Sequence, residues 1–265
     1  EPIPNEYIMP SETLDITSNG EYDVKNYEKA NVNVGGIEIT NAKYLFYQNT
    51  RVDIVNELCS IISPNNVTCS YMFYGCSSLR QVTIAEGVDT IGEYAFGFCK
   101  SLEQINIPSS VKYIDGGAFW GCQSLGYITM AEGVDTIGEY AFAWCQSLDH
   151  VVLPASVKSI GEGMFLKATN LRHVSIPGSI QFIPIEAFLG CKSLRYVTLG
   201  EGVQSINEWA FCYCKSLREI TIPSSIEYIA KNTFYGCSAL KKIYVSNNYQ
   251  LEKLQYVEPY EEGSE

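Results

Sequence analysis

Cysteines, histidines and arginines are the residues of this 265-residue chain best suited to chemistry, and their spacing limits what they can do. Seven of the ten cysteines recur every 23 residues, or every 46 where Ala168 fills a gap: Cys76, Cys99, Cys122, Cys145, Cys191, Cys214 and Cys237. Equivalent side chains on adjacent strands stay ~4.8 Å apart, farther than the ~3.8 Å between Cβ atoms that a disulfide prefers. A zinc or iron–sulfur site needs ligands that converge on a point. We therefore predict a structural column of buried, reduced thiols, with no metal and no cofactor.

The two histidines, His150 and His173, lie one repeat apart, and Asp149 precedes the first. Two imidazoles and a carboxylate can hold a metal ion, but no third converging ligand is evident. The Asp149–His150 pair also suggests part of a catalytic triad, without an activated serine or cysteine to complete it. We interpret both histidines as surface residues and predict that the chain is not an enzyme, because catalysis must rest on a site.

The elements that would position these residues are repeats. From Ser78 onward, eight consecutive 23-residue segments share one apolar pattern, which is typical of a solenoid. In each copy, Leu-x-x-Val-x-Ile indicates a short strand, Val-x-x-Ile a second extended stretch and Ala-Phe-x-x-Cys a helical turn. We predict a right-handed α/β repeat solenoid with a parallel β-sheet along one face.

The open face of this sheet is the predicted binding surface. One polar column is Gln81, Gln104, Tyr127, His150, His173, Tyr196, Glu219 and Lys242, and the column beside it is Arg80, Glu103, Gly126, Asp149, Arg172, Arg195, Arg218 and Lys241. The candidate ligand-binding residues are Tyr127, His150, His173, Tyr196, Arg172 and Arg195. Like charges on neighbouring strands are unfavourable, so an anionic ligand, such as an acidic glycan or a partner's carboxylates, would explain the arginines. A solvated sheet with local ion pairs is the alternative.

Around the Phe turn lies a second set of large side chains: Trp120, Trp144, Leu166, Leu189, Cys212 and Tyr235, with Phe182 and Ile185 at positions that are usually polar. Contiguous exposed apolar surface can mark a partner site. Packing between the loops of neighbouring coils explains the same residues equally well, and the pattern leaves both interpretations open.

The chain divides into four parts. Residues 1–36 are predicted to form a small β-type appendage, in which Asn19-Gly20 indicates a hairpin between Thr13–Thr17 and Glu21–Val24. Residues 37–66 are predicted to form a helical cap, because residues 51–62 have apolar side chains at helical spacing. Residues 67–246 form the solenoid and residues 247–265 an acidic tail. Whether Cys59 and Cys69 form a disulfide stays open.

The composition of the chain limits the classes of partner that it can bind. The net charge of −12 argues against nucleic acid or an anionic membrane, since both demand a basic face. No apolar run is long enough to cross a bilayer. The start at Glu1, without a signal peptide, favours a trimmed mature chain.

The repeat resembles the 23-residue unit of BspA-like bacterial leucine-rich-repeat proteins. Nine residues of one copy match it: Leu102, Ile105, Ile107, Pro108, Val111, Ile114, Ala118, Phe119 and Cys122. The opening segment from Thr13 is similar to modules of Gram-positive surface and prophage-tail proteins. These resemblances imply a leucine-rich-repeat array outside a bacterial cell or at its surface, used for adhesion or for binding a protein or glycan. A structural spacer or assembly component is the alternative. Departures at Ala168, Pro184 and Ile185 affect local curvature.

Overall fold

The coordinates are a computed structural model, which describes the backbone of residues 13–16, 29–32 and 54–58 and the complete residues 70–84 and 86–245. Within this part, coils stack with the 23-residue offset that the sequence predicts. Ile105 lies opposite Ile128, and Val151 opposite Val174, on neighbouring parallel strands. The prediction of a parallel-stranded repeat solenoid is confirmed.

The first strands of the chain extend the sheet of the array. They are β1 (Thr13–Ile16), β2 (Lys29–Val32) and β3 (Ile54–Leu58), followed by β4 (Gln81–Ile84), and they pair in parallel in that order. The predicted helix over residues 51–62 is therefore wrong where β3 lies. A strand satisfies the backbone groups along the edge of β4, which a helix cannot do, and its β-branched residues suit an extended backbone.

The predicted appendage is likewise not a separate sheet where the structure describes it. Its strand β1 pairs with β2 in parallel, whereas the predicted hairpin partner, Glu21–Val24, lies outside the described residues. The same holds for Cys59, Cys69 and residues 247–265. Strands from the predicted appendage and cap thus continue the sheet of the array.

Each coil adds one longer and one two-residue strand, which lie in different sheets. After β4, the longer strands are β6 (Gln104–Ile107), β8 (Tyr127–Met130), β10 (His150–Val152), β12 (His173–Ile176), β14 (Tyr196–Leu199), β16 (Glu219–Ile222) and β18 (Lys242–Val245). The short strands are β5 (Thr90–Ile91), β7 (Tyr113–Ile114), β9 (Thr136–Ile137), β11 (Ser159–Ile160), β13 (Phe182–Ile183), β15 (Ser205–Ile206) and β17 (Tyr228–Ile229).

The predicted helical turn is instead a series of tight turns, and residues 70–84 and 86–245 contain no helix. In the first copy, Ala95 N donates to Gly92 O at 3.0 Å and Gly97 N to Tyr94 O at 3.0 Å, while Tyr94 N donates to Gly116 O of the next coil at 3.0 Å. Amides alternate between closing a turn and joining the next coil. A helix would direct all of them along its own axis, so the coils would lose these links.

Left-handed backbone recurs at two positions in each coil, as turns of this kind require at their third residue. Tyr94 (φ 50°) and Phe98 (φ 58°) occupy these positions in one coil, and Gly117 and Gly121 occupy them in the next. A Cβ atom on Gly121 would lie 2.8 Å from Cδ1 of Phe98, and one on Gly117 would overlap the ring of Tyr94. Glycine therefore both adopts the backbone angle and leaves room for the aromatic ring of the preceding coil.

A column of stacked phenylalanines fills the centre of the array. Consecutive ring centroids lie 5.1–5.7 Å apart along Phe73, Phe96, Phe119, Phe142, Phe165, Phe188, Phe211 and Phe234. Such pairs contribute about 0.5–1.5 kcal/mol each beyond the area they bury. The interplanar angle is 8° or less except on the two sides of Phe165, where it is 19° and 23°, and Phe165 belongs to the coil in which Ala168 replaces cysteine. The stack fixes the coil spacing and hence the spacing of every surface column.

Carboxylates at one loop position also join neighbouring coils. Glu132 Oε2 accepts a hydrogen bond from the amide of Ser156 at 2.9 Å, and Glu201 Oε2 accepts one from the amide of Ser224 at 3.1 Å. The side-chain and backbone hydrogen bonds from Ser224 lower the pKa of Glu201. These loops are thus held by the ionised form of the acid.

Candidate functional site

The open face of the longer strands carries the predicted binding row. The register sets His150 opposite His173, and His173 opposite Tyr196. In β6 and β16, outward residues alternate with buried ones, as expected for a sheet with one solvated face. Tyr127 and Tyr196 are 63% and 62% exposed, at the two ends of the histidine pair. The structure brings the predicted row together as one continuous surface, hereafter the sheet face.

Asp149 organises the charges at the middle of this face. Its Oδ1 lies 3.4 Å from Nε of Arg172, and its Oδ2 lies 3.8 Å from Nδ1 of His150. The His150 ring also meets Tyr127 edge-on, with centroids 6.5 Å apart. Among the described residues, no three His, Cys, Asp or Glu side chains are arranged to hold a metal ion. The local ion-pair interpretation therefore accounts for Arg172, one of the six candidate residues.

Arg195, on the next rung, differs from Arg172. Within residues 70–84 and 86–245, the ion pairs found join Lys158 to Asp135 and join Asp149 to His150 and Arg172. None includes Arg195, which is exposed beside Tyr196. This side of the sheet face thus presents a cation available to a ligand.

Two concavities mark the ends of the described sheet face. One, of about 280 Å³, lies over β4, β6 and β8 and is lined by neutral groups that include Gln104, Asn106 and Tyr127. The other, of about 520 Å³, is lined by Arg218, Glu219, Ala239, Lys241 and Lys242, and we name it the basic cleft. The sheet face therefore changes from neutral polar to cationic along its length.

The cysteine column contains all seven cysteines that the repeat predicts, and each is buried and outside any disulfide. The repeat does not predict the acceptor of each thiol. Cys122 Sγ donates to the carbonyl of Phe96 at 3.1 Å, and Cys145 Sγ to that of Phe119 at 3.2 Å, each 26 residues earlier. The pattern carries no signal for this bond, because the acceptor belongs to the backbone of the preceding coil.

Burial also decides the reactivity of these thiols. The pKa of Cys99 and the pKa of Cys145 are raised, first by burial and then by the neighbouring thiols. The pKa of Cys237, near the end of the column, is raised by burial to about 12. Because the thiolate is the nucleophile and the metal ligand, a raised pKa disfavours both roles at neutral pH. The cysteine column is suited to packing rather than to catalysis.

The aromatic residues around the Phe turn pack against one another. Trp120 stacks between Tyr94 and Tyr140, with ring centroids 5.6 Å and 5.8 Å away, and Lys167 Nζ lies 4.4 Å above the ring of Trp144. These contacts join neighbouring coils, so the packing interpretation accounts for both tryptophans. Phe182 remains 53% exposed and Ile185 36% exposed.

None of the described residues forms a helix that is long and apolar enough to cross a bilayer.

Comparison with known proteins agrees with this architecture. The family model for the BspA type leucine-rich repeat region matches residues 66–195 and 164–256, in six copies. The solved structure of a leucine-rich repeat protein from T. pallidum shares 32% identity at a TM-score of 0.54, and the alignment covers 62% of this chain and 72% of that one. A leucine-rich cell surface protein from Faecalibacterium prausnitzii shares 25% identity at a TM-score of 0.50, over 98% of this chain and 84% of that one. No protein with a curated function matches significantly.

The match to the family model begins at residue 66, so the resemblance of the opening segment to prophage-tail modules stays a prediction. The model spans well over half of the chain, and its repeats coincide with the observed coils. The chain therefore belongs to the BspA-type leucine-rich repeat family of bacterial repeat proteins.

Proposed function

We propose that this protein is a non-enzymatic binding module that presents its sheet face to a protein or glycan ligand outside a bacterial cell or at its surface. The extracellular location is supported by the similarity to the F. prausnitzii protein, which is described as a cell surface protein.

The observation that carries the proposal is the exposure of two tyrosines on a rigid sheet. Tyr127 and Tyr196 lie on β8 and β14, three rungs or about 14 Å apart, and more than three fifths of each side chain is exposed. Tyrosine and arginine are enriched among residues that dominate binding energy, since they offer a large contact area or a bidentate fork at modest entropic cost. The stacked core sets their positions before a ligand arrives, which lowers the ordering cost of binding.

The test is a screen of the labelled protein against arrays of glycans and host proteins, followed by paired substitutions. Tyr127→Ala with Tyr196→Ala should weaken binding of a ligand found in this way by about 1–4 kcal/mol while the fold persists. The matched control is Tyr113→Ala with Tyr228→Ala, which removes two tyrosines of similar exposure, 48% and 54%, from the short-strand sheets.

Three results would contradict the proposal. Binding that survives the sheet-face pair but is lost on changing Phe182 or Trp144 would place the site at the opposite edge. Equal losses of affinity in the test and control pairs would mean that the tyrosines affect binding by stabilising the fold and not by contacting the ligand. Assembly of the protein through its ends, without a ligand for the sheet face, would favour the structural spacer.

A further inference from the structure

Positive charge is concentrated at the C-terminal end of the sheet face. Along the last three described rungs, the exposed cations of the sheet face are Arg195, Arg218, Lys241 and Lys242. They occur in a chain whose net charge is −12. Among the described residues that line the basic cleft, Glu219 is the one acid. A local group of cations on one face of an acidic protein attracts anions to that face.

Arg218 and Lys241 lie close together, while Lys242 stands opposite Glu219 on the neighbouring strand. The amide of Lys241 donates to the carbonyl of Arg218 at 2.9 Å, so these residues lie on neighbouring rungs ~4.8 Å apart. The ion pairs found within residues 70–84 and 86–245 include neither of them, nor Lys242. Like charges on adjacent strands destabilise a sheet, and an anion bridging them would remove that cost.

The neighbouring columns indicate what kind of anion fits. Thr198 and Thr221 expose hydroxyl groups on the same strands, and Tyr196 and Tyr244 expose 62% and 47% of their side chains. Carboxylated sugars present charges, hydroxyl groups and apolar ring faces together, and this surface has a partner for each. An acidic peptide supplies carboxylates and backbone amides but no hydroxylated rings for the exposed tyrosines. Its same-face side chains also repeat at about 6.6 Å when extended, out of step with rungs ~4.8 Å apart.

We propose that the basic cleft and the adjoining rungs bind an acidic polysaccharide through its carboxylates. The proposal deepens the binding function proposed above and rests on it. Arg195 and Arg218 pair with carboxylates, and Lys241 and Lys242 add charge at the cleft. The hydroxyl groups of Thr198 and Thr221 and the exposed rings of Tyr196 and Tyr244 contact the sugar rings.

The experiment measures binding of fluorescent oligogalacturonate, with neutral dextran oligomers as the uncharged comparison. Wild-type protein should bind oligogalacturonate and not dextran, and raising the NaCl concentration should weaken binding, because exposed charges are screened. Arg218→Gln with Lys241→Gln should weaken binding about tenfold. The matched control, Lys112→Gln with Lys231→Gln, removes two exposed cations away from the sheet face and should leave affinity within about twofold.

Several outcomes would overturn the proposal. One is that dextran binds as tightly as oligogalacturonate. Another is that the two double variants lose equal affinity. A third is that poly-glutamate binds as tightly as oligogalacturonate and depends in the same way on Arg218 and Lys241. Salt-sensitive dimers that the Arg218/Lys241 variant abolishes would assign the cleft to a second copy of the chain. If oligogalacturonate does not bind, but a ligand found on the glycan or protein arrays requires Tyr127 and Tyr196, the proposed function stands and the polysaccharide proposal is wrong.

Discussion

Replacing one thiol of the cysteine column by alanine should lower the free energy of unfolding by about 1–2 kcal/mol, as Cys145→Ala illustrates. The change removes one buried heavy atom, comparable to an Ile→Val truncation at about 0.5–1.5 kcal/mol. It also removes the hydrogen bond from Sγ to the carbonyl of Phe119, which adds about 0.5 kcal/mol because a thiol is a weak donor. That carbonyl keeps the amide of Cys122 at 3.2 Å, so no acceptor is left without a partner.

The assay is urea unfolding in reducing buffer, followed by circular dichroism. The comparison requires equal dependence on urea in the two proteins, so that the midpoint reports stability alone. The matched control is Ala168→Cys, which adds a thiol at the position where the column lacks one. It should lower the free energy of unfolding by about 1–3 kcal/mol, because the coil already packs around alanine and the added sulfur overpacks it. A Cys145→Ala protein within about 0.3 kcal/mol of wild type would refute both the packing of the sulfur and the value of its hydrogen bond.

Three further predictions follow from the same contacts. The thiols of the cysteine column should resist alkylation at pH 8 and react only after denaturation; mass spectra with disulfides between successive column positions would contradict the geometry. Gly121→Ala should lower the free energy of unfolding by about 1–3 kcal/mol, because the backbone is left-handed and the new Cβ would meet Phe98. Gly126→Ala is the control, since its Cβ would meet nothing closer than 3.7 Å. It should be near neutral in the same unfolding assay. Since hydrogen bonds from Ser224 lower the pKa of Glu201, folding favours the carboxylate above its unfolded pKa of about 4.3 and loses that contribution as pH falls through the lower folded value. Glu201→Gln should therefore shift the urea midpoint at pH 7 and progressively less below about pH 4; a shift that does not depend on pH would contradict this account.

The repeat period explains why so much of the fold could be read from the sequence. In a solenoid each coil contacts only its neighbours, so residues 23 apart occupy equivalent places and must satisfy the same contacts. The residue types at the positions of Leu102, Ile105 and Phe119 recur in other coils, because each position fills an equivalent place in the core of every coil. The alternation along each strand then places Tyr127 and Tyr196 on the open face. The candidate binding row followed from the same reasoning, although its ligand did not.

The sequence by itself determined the coil length, the identity of the buried columns and the row of residues on the sheet face. Tertiary structure decided what lies next to each of these. The apolar spacing of residues 51–62 suits a helix, yet Ile54–Leu58 forms a strand. The reason is that the edge of the array needs a backbone partner. The thiol acceptors, the aromatic rings over glycines and the assembly of Arg218, Lys241 and Lys242 into one cleft all depend on contacts between coils. A one-dimensional pattern records which residue types recur, whereas hydrogen-bond acceptors, ring contacts and clefts arise only when the coils are stacked.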